Sequence, residues 1–269
     1  MSETTPIIEL KDVKVTFKSR TGSLFKPNLV EAVRGVSLKI MPGQTLGLVG
    51  ESGCGKSTTA NVMCGLQEAT EGHVYFKGEE VTKRSVKDRR RIGRVVSVVF
   101  QDPATALNAR MLVRDQLMDP LLVHKIGSQA ERAARVDELI NMVGLPYSAL
   151  DALPGQLSGG QRQRVAIARA LSLKPDAIIA DEPTSALDVS VRAQILNLLT
   201  DLKDELGLAM VFISHDIQTV RYISDRIAVM NAGTVVEEGP AEKLLANPQN
   251  DYTRTLLGAA PSLLHPHLG

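Results

Sequence analysis

The sequence predicts an α/β fold in which helices cover a parallel β-sheet. Short apolar strands alternate with helical segments along most of the 269 residues, a pattern typical of parallel sheets that are buried on both faces. A glycine-rich segment separates one such strand from the helix that follows it. Ligands of these sheets bind beyond the carboxyl ends of the strands. We therefore expect the functional residues just after positions 49, 100, 180 and 213.

The first fifty residues predict three strands. Residues 7–15 and 36–40 alternate between apolar and polar side chains, as half-buried strands do. Residues 18–28, which lie between them, have the composition of a loop. A Pro-Gly turn at Pro42 precedes a short apolar run over 46–49. This run predicts a buried strand that leads directly into the glycine-rich segment.

The middle of the chain predicts one helix, two strands and an insertion. Residues 56–65 have a helical pattern that Gly65 can end as a C-cap. Residues 74–76 and 95–100 predict strands. From about 103 to 160 the pattern is mainly helical and lacks strand-like alternation, so this stretch predicts an inserted helical unit.

The last part of the chain returns to alternating elements. By the same reasoning it predicts helices over 161–173 and 189–206, strands over 177–180 and 208–213, a hairpin over 227–238 and a helix over 252–257. The length suits one large domain or two small ones, at about 150 residues per domain.

Composition excludes several classes of protein. Lys plus Arg exceed Asp plus Glu by only one charge, so no overall field attracts nucleic acid. No apolar run approaches the length of a membrane span, and the N-terminus has no secretory signal. Cys54 and Cys64 lack the spacing of a zinc site or a disulfide framework. We therefore expect a cytoplasmic protein, which can still lie on a membrane by binding a membrane partner.

Residues 83–94 hold seven basic side chains and one acidic one. Such a run is compatible with nucleic-acid binding. The near-zero net charge and the lack of interleaved aromatic residues favour a solvated surface helix or a face near anionic lipid headgroups instead.

The glycine-rich segment matches the phosphate-binding pattern G-x-x-x-x-G-K-[ST]. Its residues are Gly50, Glu51, Ser52, Gly53, Cys54, Gly55, Lys56 and Ser57, followed by Thr58. Backbone N–H groups of such a loop and the N-terminus of the next helix bind phosphate, the lysine bridges the terminal phosphates and the hydroxyl ligates Mg²⁺. The sequence therefore predicts an ATP and Mg²⁺ site. The alternative is a glycine-rich turn before a core helix, which the flanking strand and helix disfavour.

Cys54 lies within this loop, which acts through its backbone, so its side chain is expected to be dispensable. The positive potential of the loop can raise the reactivity of the thiol. We expect a thiol reagent to block nucleotide binding and ATP to protect.

Polar residues follow the other three predicted strands. Asp181 can hold Mg²⁺, and Glu182 is the candidate general base that polarises the attacking water; the alternative for both is an acidic turn at a strand end. Gln101 can reach Mg²⁺ or the attacking water, and His215 is expected to bind the γ-phosphate, although a lone histidine is more often structural.

A second candidate anion site precedes the helix predicted over 161–173. Ser158 is a good N-cap residue, and Gly159 and Gly160 leave their N–H groups accessible ahead of Gln161. A helix that is merely capped would give the same pattern, and the residues alone do not separate the two interpretations.

Together these motifs resemble the nucleotide-binding subunit of ABC transporters, over about residues 7–257. The resemblance rests on six segments in the family order: Gly50–Ser57, Gln101, Leu157–Gln161, Asp181–Glu182, Ser185–Asp188 and His215. It implies a P-loop NTPase (RecA-like) core with a parallel sheet, an antiparallel β subdomain and an inserted α-helical subdomain at about 103–160. The nucleotide-binding domain would span 1–258, and a tail 259–269.

The resemblance also implies a head-to-tail dimer with two ATP molecules at the interface. Ser158, Gly159 and Gly160 would contact the γ-phosphate of the nucleotide held by the other subunit, and Asp188 would link the two sites. An aromatic residue after the first strand would stack on adenine. Phe17 is the best match and Phe25 the competitor, and either could instead have a core or loop role.

Three stretches resemble the peptide-importer branch of that family: 18–33, 100–108 and 247–257. This resemblance implies that the partner is an integral-membrane permease and that the helical insertion docks on it. It also implies a substrate-binding protein as an indirect partner. The chain would then lie on the cytoplasmic face of the membrane. The second ATPase would be another copy or a paralogue. No cysteine follows Cys64, so we expect no iron–sulfur cluster.

Two other functions stay open at this point. One is a non-transport ABC protein that assembles on a soluble enzyme complex such as C–P lyase. The other is a P-loop kinase, which the segment at 157–161, Glu182 and His215 disfavour.

Overall fold

The computed structural model describes residues 4–18, 29–81 and 85–258. The predicted loop at 18–28, from residue 19 on, and the predicted tail 259–269 lie outside these ranges, as does Phe25. The strands are β1 Ile8–Lys18, β2 Leu29–Ile40, β3 Thr45–Val49, β4 Glu71–Phe76, β5 Glu79–Glu80, β6 Val96–Val99, β7 Ala177–Asp181, β8 Ala209–Ile213, β9 Arg226–Asn231 and β10 Thr234–Pro240.

Ten α-helices are assigned in the described ranges. They are α1 Lys56–Met63, α2 Val86–Val95, α3 Pro103–Ala106, α4 Val113–Val123, α5 Gln129–Met142, α6 Gly159–Leu171, α7 Val189–Leu206, α8 Ile217–Ile223, α9 Ala241–Ala246 and α10 Asp251–Gly258. None of them combines the length and the apolar character that a membrane span requires.

The central sheet confirms the predicted α/β fold. Its strand order is β10-β9-β3-β8-β7-β6. All pairs from β9 to β6 are parallel, and β10 adds to β9 as an antiparallel edge. Every residue of β3 and β8 is buried, because apolar side chains of these strands face packed layers on both sides of the sheet.

A second, antiparallel sheet has the order β2-β1-β4-β5. The register pairs Ile8 with Ile40 and Leu10 with Leu38. Apolar side chains of this sheet pack with α1 and with one face of the central sheet. The antiparallel pairing accounts for the length of β2, which begins at Leu29 and extends well before the predicted strand at 36–40.

The region between β6 and β7 contains α3 to α6 and two short 3-10 helices, and no strand is assigned there among the described residues. Its apolar side chains join those of α7 and the second face of the central sheet in one core. That 103–160 forms a separate subdomain stays a prediction.

The basic run folds largely as α2, over the part that the structure describes. A capping box starts this helix: the Ser85 hydroxyl accepts from the Asp88 amide, and the Asp88 carboxylate accepts from the Ser85 amide. Only Ile92 in this helix is buried. The remaining side chains, including most of the basic ones, project from the core.

Candidate active site

Strand order brings the predicted functional segments to one edge of the central sheet. The phosphate loop follows β3, and β8 and β7 lie next to β3 on one side. Residue Asp181 at the end of β7 is paired with Ile213 at the end of β8, and Val99 of β6 is paired with Ala180. All four strands are parallel, so their carboxyl ends meet at this edge.

Glycine is required where the phosphate loop passes close to neighbouring backbone. Gly50 has φ +152°, and a Cβ there would lie 2.2 Å from the carbonyl oxygen of Met230. Gly55 has φ +106°, and its Cβ would lie 2.4 Å from the carbonyl oxygen of Ala32. A side chain at either position would force backbone apart.

Lys56 is held inside the loop rather than extended into solvent. Its side chain is buried, and its ammonium group donates to the carbonyl oxygens of Gly50 at 2.7 Å and Glu51 at 2.9 Å. Helix α1 begins at this lysine, and no side chain of the described ranges caps its N-terminus. The first N–H groups of a helix lack intrahelical partners, so this end of α1 offers donors and positive potential to an anion.

Asp181 faces the start of α1 across the site. Burial raises the pKa of its carboxyl group, and the neighbouring Glu182 carboxylate adds to that rise, whereas a hydrogen bond from the Ser57 hydroxyl and the charge of Lys56 oppose it. Asp181 and Ser57 therefore form a pair of oxygen groups beside the lysine.

Side chains that follow three different strands meet at the carboxylate of Glu182. One oxygen accepts a hydrogen bond from Gln101 Nε2 at 3.0 Å, and the other lies 3.1 Å from His215 Nδ1. An ionised carboxylate can only accept, so this contact is a hydrogen bond when His215 Nδ1 carries a proton. The backbone of Glu182 is left-handed, with φ +45°, and its N–H donates to the carbonyl of Ile213. The position is strained and fixed by a neighbouring strand, as is common at functional sites.

The second predicted anion site forms the N-terminus of α6. The Ser158 hydroxyl accepts from the Gln161 amide at 3.2 Å, and the Gln161 side chain accepts from the Ser158 amide at 2.9 Å. Gly159 and Gly160 lie in the first turn, and a Cβ at Gly160 would be 2.6 Å from the Val191 side chain. Within the described residues, no hydrogen bond joins this segment to the phosphate loop of the same chain.

Two further residues that the sequence predicts as functional lie away from the Glu182 carboxylate. Asp188 is the N-cap of α7, and its carboxylate accepts from the Val191 amide at 2.9 Å. Phe17 lies near the end of β1, paired with Val30, and 40% of its surface is exposed. An exposed ring of this kind is accessible to a planar ligand.

Comparison with known proteins fits this geometry. The family model described as ABC transporter matches residues 33–185, more than half of the chain. The chain belongs to the ABC transporter family of ATP-binding proteins. The matched range contains the phosphate loop, Gln101, Ser158 and both strand-end carboxylates of this ABC ATPase.

Named relatives and solved structures resemble this ABC ATPase over most of its length. It is 43% identical to the dipeptide transport ATP-binding protein DppF of Haemophilus influenzae, over 98% of this chain and 80% of the relative. It is 47% identical to the oligopeptide transport ATP-binding protein OppF of Bacillus subtilis, over 96% and 83%. The dimeric, ADP- and phosphate-bound structure of the ATP-binding cassette MJ0796 superposes with a TM-score of 0.77 at 33% identity, covering 87% of this chain and 98% of that one.

One residue at the site of this ABC ATPase is not predicted from the sequence as functional. Tyr252, in α10, accepts a hydrogen bond on its phenol oxygen from the backbone N–H of Glu51, 3.1 Å away. The only sequence signal for it is the resemblance of 247–257 to the peptide-importer branch. In this structure the N–H of Glu51, predicted to bind nucleotide, is thus directed to a tyrosine.

Proposed function

We propose that this ABC ATPase energises the uptake of a peptide-like solute through a separate integral-membrane permease. The observation that carries the proposal is the Glu182 carboxylate, positioned by Gln101 and His215 beside the Lys56 loop. The peptide assignment is supported by the transport names of relatives at 43–47% identity. These names disfavour the alternative of a non-transport ABC protein on a soluble complex such as C–P lyase.

In the proposed reaction, Glu182 accepts a proton from the water that attacks the γ-phosphate, the bond between the γ-phosphorus and the bridging oxygen breaks, and ADP leaves with that electron pair. Lys56 and the loop N–H groups stabilise the charge that develops on the phosphate oxygens. His215 Nε2 can donate to the γ-phosphate once the ring is doubly protonated or its proton has moved from Nδ1. Gln101 holds the Glu182 carboxylate and the attacking water in position relative to each other.

The residues present fit a magnesium ion. The Ser57 hydroxyl, the Asp181 carboxylate and the Gln101 amide oxygen are the hard oxygen ligands that Mg²⁺ prefers. No cluster of three or more His, Cys, Asp or Glu side chains suited to a metal occurs among the described residues. This agrees with an ion held by one carboxylate together with substrate phosphates. When bound, the ion supplies charge stabilisation to the phosphates.

We propose that the active form is a head-to-tail dimer, with itself or with a paralogous ATPase. The capped N-terminus of α6, at Ser158, Gly159 and Gly160, would then bind the γ-phosphate held by the partner. Gln161 holds the Ser158 backbone in place for this role. Asp188 would link the two sites, and Phe17 would stack on adenine.

The permease would dock on the helical region between β6 and β7, which starts just after Gln101. A substrate-binding protein would deliver the solute to the permease and not to this chain. The ATPase would then lie on the cytoplasmic face of the membrane.

Substitution of Lys56 tests the nucleotide site. In Lys56→Ala the loss of the ammonium group removes charge-assisted hydrogen bonds of about 1.5–3 kcal/mol, so we expect Mg-ATP affinity to fall by roughly one to two orders of magnitude. Exposed Lys243 in α9 provides the control Lys243→Ala, with unchanged affinity in titration calorimetry. Unaltered affinity in Lys56→Ala would contradict the loop assignment.

Purification of the native complex tests the transport assignment. We expect the tagged chain to co-purify with integral-membrane subunits, and proteoliposomes of that complex to take up peptide only with ATP. Co-purification with a soluble enzyme assembly, and no permease, would favour the non-transport function.

A further inference from the structure

We propose that Tyr252 is a positioning residue of the phosphate loop, a role that rests on the proposed ATPase site. Its phenol oxygen accepts from the Glu51 N–H at 3.1 Å across 201 residues of sequence. The contact connects α10 to the second residue of the loop. By holding that peptide, Tyr252 would keep the rest of the loop open to phosphate.

The peptide bond between Gly50 and Glu51 is held at both ends. Its carbonyl oxygen, that of Gly50, accepts from Lys56 Nζ at 2.7 Å. Its N–H, that of Glu51, donates to Tyr252. Without the phenol, this peptide could rotate, and its rotation would move the Lys56 ammonium group, which also donates to the next carbonyl, that of Glu51, at 2.9 Å.

A hydrogen bond from the opposite direction holds the loop further along. The Gly233 N–H, in the turn between β9 and β10, donates to the carbonyl oxygen of Cys54 at 2.9 Å. The backbone N–H groups of Gly53, Gly55 and Lys56, by contrast, have no acceptor in the described part of the chain. Residues outside the loop thus hold its backbone, and these three N–H groups remain available to bind phosphate.

Helix α10 is firmly anchored, so its tyrosine can act as a fixed support. The Glu237 carboxylate on β10 accepts from the N–H groups of Gln249 at 2.8 Å and Asn250 at 3.1 Å. The Asn250 side chain in turn accepts from the Tyr252 N–H at 2.9 Å. The Tyr252 ring and Leu256 pack against the main core.

Burial raises the pKa of Tyr252, and the hydrogen bond from the Glu51 amide opposes the rise. The phenol therefore stays protonated at neutral pH, and its oxygen is a neutral acceptor.

Loss of this support would lower nucleotide affinity and leave turnover intact. A loop that is correctly shaped only part of the time binds with an affinity reduced by that fraction. One neutral hydrogen bond corresponds to a change of about two- to tenfold. Once nucleotide is bound, its phosphates hold the loop, so kcat is expected to stay close to the wild-type value.

The test compares Tyr252→Phe with Tyr222→Phe. The Tyr222 hydroxyl donates to the Asn197 side chain at 2.7 Å on the exposed surface, so the control removes an equivalent group away from the loop. For Tyr252→Phe we expect the dissociation constant and KM for ATP to rise by about two- to tenfold, with kcat unchanged and Tyr222→Phe like wild type. Equal affinities in all three proteins, or a fall in kcat at constant KM, would overturn the proposal.

Hydrogen–deuterium exchange without nucleotide gives a second readout. The amides of Glu51 and Cys54, which are hydrogen-bonded in the structure, should exchange faster in Tyr252→Phe than in wild type, and equal exchange would overturn the positioning role. Because this measurement needs no turnover, it separates the proposal from the proposed function: a wild-type protein inert towards ATP would refute the latter alone.

A double-mutant cycle tests whether α10 acts through the tyrosine. Glu237→Gln weakens the anchor of α10 and is expected to raise KM in the same direction as Tyr252→Phe. The double variant should then fall short of the product of the two single effects, because both act through one contact. A full product of the two effects would show that Glu237 does not act through Tyr252.

Discussion

Glu182→Gln separates the proposed chemistry from binding and folding. The substitution removes the charge that accepts the proton but keeps the shape of the side chain. In the structure the two carboxylate oxygens are 3.0 Å from Gln101 Nε2 and 3.1 Å from His215 Nδ1. A glutamine can accept from the first and donate to the second if the imidazole proton moves to Nε2. Both contacts can therefore survive.

The expected magnitudes differ for stability and rate. With both contacts kept, the free energy of unfolding should change by less than about 1 kcal/mol, which is less than about 4 °C in Tm for a chain of this size. Burial is the main cause of the raised pKa of Asp181, and repulsion from Glu182 adds to it; loss of that repulsion acts in the stabilising direction. A positioned base contributes about 10²–10⁴-fold in rate, or about 3 to 5 kcal/mol of barrier.

The assay measures ATP hydrolysis, ATP affinity and association state in one preparation. We expect Glu182→Gln to bind ATP, to hydrolyse it scarcely, and to accumulate as the ATP-bound dimer in size-exclusion chromatography. Glu205→Gln, at an exposed position in α7, should hydrolyse ATP like wild type and accumulate no dimer. Full turnover in Glu182→Gln would remove this residue from the base role.

Two further predictions concern thiols and pH. Burial raises the pKa of Cys64 to about 12, so its thiol stays neutral and slow to alkylate near pH 7. The Cys54 side chain is itself buried, so we expect its alkylation to be slow as well; mass spectrometry should locate the label that blocks nucleotide binding on Cys54, with ATP protecting, and a fast, ATP-insensitive label on Cys64 would contradict this. Burial alone would raise the pKa of Glu237. Hydrogen bonds from the Gln249 and Asn250 N–H groups act against it, and the pKa lies below the usual 4.5. Its contribution to stability is therefore complete above about pH 4.5 and lost as the pH falls through the folded value. Acid should lower Tm more steeply in wild type than in Glu237→Gln, and parallel curves would refute the anchor.

Much of the central sheet could be predicted from local pattern alone. The apolar runs at 46–49, 177–180 and 208–213 correspond to β3, β7 and β8 with ends shifted by a residue or less. Helix α7 begins and ends where its amphipathic pattern and Gly207 indicate. The strands are buried on both faces of the sheet, and the helix has a capping residue at each end. The local sequence of each element is therefore enough to predict it.

Contacts between distant elements could not be predicted in this way. The antiparallel sheet depends on pairing β1 with β2 and β4, and bulges in these pairs interrupt the alternation that marks a strand. The short helix α8 carries too few turns for a periodic pattern. The bond from Glu51 to Tyr252 joins residues whose separation of 201 leaves no local signal.

The strand order places two different sets of residues on the two sides of the phosphate loop. Strand β3 lies between β8 and β9. On the β8 side, the chain supplies His215 and, one strand further, Asp181 and Glu182, the groups proposed to act on the γ-phosphate. On the β9 side, the hairpin turn holds Cys54, and β10 anchors the helix that carries Tyr252. Since the loop separates these two sets, substitutions on the β8 side should change kcat, and those on the β9 side should change ATP affinity.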